Sequence, residues 1–294
     1  MAWRYALLIT PVAADDPATD FAGTFTDIDP AALALPVGEL SAQRGDGVFE
    51  SIGVVDGHPQ EVEAHLQRLA HSASLADLPA PHAAQWRQAV ARAAGHCGDG
   101  EAVIKLILSR GVEYGPAPTA WVTVADASDF AASRTDGIRV ATLDRGYALD
   151  VPARAPWLLL GAKTLSYAVN MAAIREAKRR GADDAVFVSS DGFLLEAPTA
   201  SLVLRRGDTF VTPAPAVGIL HGTTQLSLFA HLESQGYRTS YETIPVADLA
   251  TADAAWLVSS VRLAAPIAAV DGHELPLDAD LTASLNDYLL SPRD

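Results

Sequence analysis

From residue 61 to 78 apolar side chains recur at helical spacing, with Val62, Leu66, Leu69 and Ala73 along one stripe. The same periodicity predicts helices over 81–94, from Met171 to Arg180, and from Thr223 to a stop at Gly236. Short apolar runs predict strands at 3–10, 47–55, 102–109, 121–125, 138–143, 185–189, 193–195, 201–204, 209–211 and 255–259. Turns fall at Asp56-Gly57, Asp191-Gly192 and Arg206-Gly207-Asp208, where glycine lets the chain reverse. The small, polar stretch 126–137 is the best linker, and divides the chain into 1–125 and 138–294.

Composition narrows the class. The 294 residues give room for about two domains, and 49% hydrophobic against 19% charged residues supplies a sizeable core and excludes general disorder. Thirty-six acids face 21 bases, a net charge of −15, which argues against a nucleic-acid-binding surface. No apolar run reaches the roughly 18 residues that span a bilayer. The run Tyr5–Thr10, soon broken by Pro11, is too short for a secretory signal. A soluble, cytoplasmic, α/β enzyme with neither membrane nor nucleic-acid partner is expected. Cys97, the single cysteine, excludes an internal disulfide framework or a Cys-rich zinc site, and is expected to be inert.

Only three residues can offer a titratable side-chain amine, because arginine does not deprotonate in proteins. Lys178 lies in the cationic last turn of a helix and complements its dipole. Lys105 interrupts a strand, and reads as an edge lysine extending its stem over apolar surface. Lys163 follows Leu158-Leu-Leu-Gly-Ala162 and precedes a helix, so its amine is expected to emerge from a desolvated junction. Burial there would favour the neutral, nucleophilic amine, while a plain strand-end lysine is the competing reading. Glu196 is the lone acid in an apolar stretch, and could equally pair with an arginine. Thr223 and Thr224 stand where a glycine-containing loop enters a helix, as caps or as donors to an anion. On helical periodicity alone Arg68 is a solvated arginine off the buried face.

Six ordered blocks carry a resemblance. They are Gly45-Asp-Gly-Val-Phe-Glu50, His65-Leu-Gln-Arg-Leu69, Lys163-Thr-Leu-Ser-Tyr-Ala-Val-Asn-Met-Ala-Ala173, Asp191-Gly-Phe-Leu-Leu-Glu-Ala-Pro-Thr-Ala-Ser201, Gly218-Ile-Leu-His-Gly-Thr-Thr224 and Ser259-Ser-Val-Arg-Leu-Ala-Ala-Pro266. Together they resemble the class IV aminotransferases, pyridoxal-phosphate enzymes of fold type IV. The resemblance implies a mixed α/β (α+β) fold of two domains: a small N-terminal α/β domain and a larger C-terminal one with a barrel-like sheet. It implies the cofactor pyridoxal 5'-phosphate between them, and a homodimer.

Residue by residue, the resemblance makes Lys163 the covalent anchor of the cofactor and then its acid–base group. Glu196 would keep the pyridine nitrogen protonated. Arg68, Thr223, Thr224 and Ser260 would hold the phosphate, and Tyr167 would face the phenolic oxygen. Two departures stand out: Ala197 and Ser201 occupy places where the family usually has Gly and Asn. His221 reads as a loop histidine. The strand before Arg110 and the Lys163–Asn170 block are most like aminodeoxychorismate lyases, which eliminate pyruvate to give 4-aminobenzoate. A transaminase of D-amino acids or related amines is the alternative, then a branched-chain enzyme, and, in another class, a catalytically lapsed binding protein. The substrate would be a small anionic amine, with Arg110, Arg44 and Arg262 as candidate carboxylate partners, Arg110 first, because guanidinium binds carboxylate bidentately.

Overall fold

The computed structural model describes residues 2–32 and 34–294, which form two compact units. The first comprises residues up to 128 together with 162–167 and 292–294; the second comprises 129–161 and 168–291.

In the first unit, β1 (Trp3–Ile9), β2 (Phe25–Ile28), β3 (Gly47–Val55), β4 (His58–Pro59), β5 (Glu101–Ser109) and β6 (Thr119–Asp126) form one sheet in the order β2-β1-β6-β5-β3-β4. All its pairings are antiparallel. Helices α1 (Leu40–Arg44), α2 (Val62–Leu75) and α3 (Ala83–Ala94) complete it. One face of the sheet buries Leu7, Val48, Ile52, Ile104, Leu106 and Val122 against Leu66, Leu69, Trp86 and Val90 of α2 and α3. The Asp56-Gly57 turn forms with both residues at positive φ, the geometry that matches strand twist. Lys105 is not on an edge. It lies in β5, an interior strand, opposite Ser51 and Thr123, and is half-buried. Cys97 is buried, its thiol pushed up to about 11 by that burial, which fits an inert residue.

The second unit contains α4 (Ala131–Thr135), β7 (Ile138–Asp144), α5 (Val151–Arg154), α6 (Ala168–Arg179), β8 (Asp184–Val188), β9 (Ser201–Arg206), β10 (Thr209–Pro213) and α7 (Thr223–Ser234). Beyond these come β11 (Arg238–Glu242), β12 (Ala254–Ser259), β13 (Leu263–Val270), β14 (His273–Glu274) and α8 (Ala279–Leu290). The curled sheet runs β11-β10-β9-β12-β13-β7-β8, with β14 on β13. The β10–β11, β13–β7 and β7–β8 pairs are parallel, the rest antiparallel. Alternation sorts its side chains between two cores. Leu202, Leu204 and Leu257 join Val140, Val186 and Ile267 on one face, while Val203, Trp256 and Val258 pack under Leu228, Leu232 and Leu285 of α7 and α8.

The expected linker 126–137 contains α4, and the second unit begins at Asp129. The segment 162–167, placed by its position in the chain with the C-terminal domain, packs with the first unit instead. Main-chain hydrogen bonds draw it there: Phe49 N donates to Lys163 O, and Leu165 N to Gly47 O. A Cβ at Gly47 would overlap the Leu165 side chain and the main chain of β5, so only glycine admits this approach. The strand expected at 193–195 forms only isolated bridges, Val188 with Leu194 and Phe193 with Pro245.

Candidate active site

Period two along β3 sends Val48, Glu50, Ile52 and Val54 toward α2 and sends Phe49 to the opposite face. Glu50 therefore places a carboxylate inside the apolar core. On α2, His65 and Arg68 lie one turn apart and meet it. His65 Nδ1 is 2.7 Å from Glu50 Oε2, and Arg68 Nε and Nη2 donate to Oε1 and Oε2, each at 2.7 Å. Glu50 and His65 are fully buried, and the Arg68 side chain is only 11% exposed. Burial works to raise the Glu50 carboxyl, but the Arg68 guanidinium and the two partners' hydrogen bonds outweigh it and hold it far below the ordinary carboxylate range. Burial pushes His65 down, against the opposing pull of Glu50.

Arg68 is thus not the solvated residue that periodicity suggests, because Glu50 provides a bidentate partner that amphipathicity cannot see. Glu50 and His65 escaped assignment in the sequence. Their signal was an acid at a core-facing strand position and a histidine at a core-facing helix position.

One further turn along α2, Ser72 Oγ accepts from Lys163 N at 3.1 Å. Lys163 Nζ lies 4.5 Å from the centre of the Phe49 ring and 6.0 Å from that of Tyr167. The two rings meet edge to face at 5.4 Å. The amine therefore lies beside aromatic surface in the first unit.

The second unit presents the other groups. Phe187 N donates to Glu196 O at 2.9 Å, so the end of β8 carries Glu196. Glu196 Oε2 accepts from Leu220 N at 3.2 Å. The loop after Glu196 is closed by Ala197 N to Ala200 O at 2.9 Å and by Asn170 Nδ2 of α6 to Pro198 O at 2.7 Å. Ser201 packs against Gly222, where a Cβ would overlap the Ser201 hydroxyl. At this position Gly222 is the N-cap of α7 and has no side chain to cap it. A helix leaves its first N–H groups without intrahelical acceptors. Around that end the Ser260 hydroxyl lies 3.4 Å from Thr223 Oγ1 and 3.1 Å from Thr224 Oγ1. Three hydroxyls, two of them on buried threonines, beside a helix N-terminus are a donor set suited to an anion such as phosphate.

The candidate substrate arginines are engaged by the protein itself. Arg110 reaches Asp46 at 2.7 Å and the carbonyls of Ala76 and Asp77 at 2.7 and 3.2 Å, at the C-terminal end of α2. Arg262 pairs with buried Asp184 at 2.7 Å. Arg44 is 65% exposed and touches Glu113 at 3.5 Å. His221 is an exposed loop residue, edge-on to Tyr241.

The chain belongs to the class IV aminotransferase family, whose sequence model (Amino-transferase class IV) matches residues 47–270. It is a pyridoxal-phosphate-dependent enzyme, a lyase or a transaminase. It is 46% identical over 261 residues to a bifunctional aminodeoxychorismate lyase / D-amino acid transaminase of Mycobacterium tuberculosis, covering 85% of this chain and 90% of that protein. Among solved structures, a fold IV transaminase of Curtobacterium pusillum is 50% identical with a TM-score of 0.92, over 98% of this chain and 99% of that one. A hypothetical aminotransferase of Mycobacterium tuberculosis, in a PLP-bound form, is 42% identical with a TM-score of 0.87, over 97% of this chain and 98% of its own.

Replacing Arg68 by Ala is expected to weaken cofactor retention about ten- to a hundredfold, the worth of a charge-assisted contact. Titration of the full chain with pyridoxal phosphate reads this directly. Wild-type affinity in the variant would confine Arg68 to its pair with Glu50.

Proposed function

We propose that the main reaction is conversion of 4-amino-4-deoxychorismate to 4-aminobenzoate and pyruvate, with weak transamination of D-amino acids beside it. The 46% identity, over most of the chain, to a protein named for both activities supports the pair of reactions. The likeness of the strand before Arg110 and of the Lys163–Asn170 block to aminodeoxychorismate lyases is the ground for placing elimination first.

The donor and acceptor types fit the cofactor. Thr223, Thr224 and Ser260, with Arg68, would hold its phosphate, Tyr167 its phenolic oxygen, and Glu196 a proton on the pyridine nitrogen. Lys163 would be its covalent anchor. When bound, pyridoxal phosphate supplies an electron sink. Lys163 Nζ then takes the proton from the substrate ring carbon next to the amine nitrogen. The bond from the ring to the enolpyruvyl oxygen breaks, the proton on Lys163 Nζ passes to the methylene carbon of the leaving enolpyruvate so that pyruvate departs, and the ring becomes aromatic. Atoms balance without an oxidant or a second substrate. Arg110, first among the three arginines by sequence, would have to release Asp46 and the end of α2, and Arg262 would have to release Asp184. Arg44, mostly in water and held only by a long contact to Glu113, is the stronger candidate for a substrate carboxylate.

A homodimer in the cytoplasm belongs to the same reading. Supporting a partner surface, Trp157, Leu158, Val169 and Met171 expose apolar side chains, Trp157 to 74%. Among the described residues no helix is long and apolar enough to cross a membrane.

Elimination returns the cofactor unchanged after each turnover, whereas transamination aminates it and needs a keto acid to restore it. Enzyme mixed with 4-amino-4-deoxychorismate and no keto acid is expected to release fluorescent 4-aminobenzoate over many turnovers. Absence of aromatic product, with rapid amination of the cofactor by D-alanine or D-glutamate, would assign the protein to the transaminases.

A further inference from the structure

The turn between β12 and β13 carries Ser260, and the backbone is strained where that turn enters β13. Leu263, a residue with a full side chain, sits at φ 65°. Such a conformation persists only where its surroundings over-determine it. Here four contacts do so. Arg134 of α4 donates from Nε to Arg262 O at 2.8 Å and from Nη2 to Val261 O at 3.0 Å, gripping two successive carbonyls of the turn. Arg262 N donates to Ser259 Oγ at 3.3 Å. The Arg262 guanidinium leaves the turn altogether and pairs at 2.7 Å with Asp184, at the start of β8, with the ring of Phe130 5.7 Å away. The pair is largely buried: the Arg262 side chain is 15% exposed and that of Asp184 2%.

We infer that Arg262 and Asp184, with Arg134, are positioning residues that clamp the β12–β13 turn and so fix the Ser260 hydroxyl beside Thr223 and Thr224. This rests on reading those hydroxyls as the seat of the cofactor phosphate. It moves Arg262 from substrate recognition to cofactor recognition at one remove. A buried charge pair joins two distant points of the sheet, and the strained turn is anchored from both its carbonyl and its side-chain side. Loss of either anchor would let Leu263 relax and carry Ser260 away from the threonines. The phosphate would then lose a donor, while contacts to the pyridine ring would keep theirs. The signature is therefore selective.

The test compares pyridoxal phosphate with pyridoxal, which lacks the phosphate, for binding to the full chain freed of cofactor. For Arg262→Met, affinity for pyridoxal phosphate is expected to fall about tenfold or more, and that for pyridoxal to stay within about twofold. Arg262→Lys, which keeps the charge facing Asp184, should restore most of the difference. Because Met leaves Asp184 unpaired and could prevent folding, Arg134→Ala provides the second probe, with the same phosphate-selective loss expected. Phosphate discrimination that survives in the folded variants, or parallel loss of both ligands, would overturn the clamp. Wild-type protein that binds the two ligands equally would instead remove the phosphate reading, and the clamp with it.

Discussion

Borohydride reduction of the yellow holoenzyme, followed by peptide mapping, is expected to leave the pyridoxyl group on Lys163. The other two lysines are poorly placed for this work. Lys178 is exposed at the end of α6, and Lys105 lies within a central strand among β-paired neighbours. Lys163 has its main chain fixed by Ser72 and Phe49 and its amine against the Phe49 and Tyr167 rings. Replacing Lys163 by Ala should lower turnover by at least about 10²–10⁴-fold, the usual worth of a positioned acid–base group, in addition to the loss of covalent attachment. Label on Lys105 or Lys178, or full turnover in the variant, would reject the assignment.

Glu50→Ala is expected to destabilise the chain by about 3–5 kcal/mol, as removal of one partner from a buried ion pair does. The change strands the Arg68 guanidinium and leaves His65 without its carboxylate. Denaturant unfolding of the full chain measures it, and a loss under about 1 kcal/mol, the level of an exposed pair, would show that the triad contributes little. The pH dependence has a definite sign. The folded Glu50 carboxyl sits below its unfolded value, so its contribution is complete above about pH 4.3 and is lost as pH falls further. Folded His65 is also depressed, so the unfolded chain takes up its proton first and stability begins to fall below about pH 6.5. Both effects point the same way. In Glu50→Gln the limb below about pH 4.3 should flatten, because the titrating carboxyl is gone.

Much of the secondary structure was written in local periodicity. The stripe of Val62, Leu66, Leu69 and Ala73 specified α2, and alternating or continuous apolar runs specified β3, β5, β9 and β12. Elements whose own signal is weak went unseen. Strand β13 carries Pro266 amid alanines, which reads as a break; it forms because β12 and β7 flank it on both sides. Helix α1 has only five residues and is set by the Glu39 side chain accepting from Ser41 N at 3.3 Å.

The chemistry divides in the same way. By itself the sequence limited the reactive amine to three lysines, singled out Lys163, and placed Glu196, Thr223, Thr224 and Ser260 in blocks resembling a known family. Those inferences need only residue type and spacing along the chain. Only the tertiary structure decided where each charged group finds its partner. It turned Arg68 inward to Glu50, tied Arg110 to the end of α2 and Arg262 to Asp184, and drew the Lys163 segment onto β3. The physical reason is that the energy of an ionised side chain depends on its solvation and on partners brought close by folding, here across 18, 34 and 78 positions of sequence respectively for the three arginines.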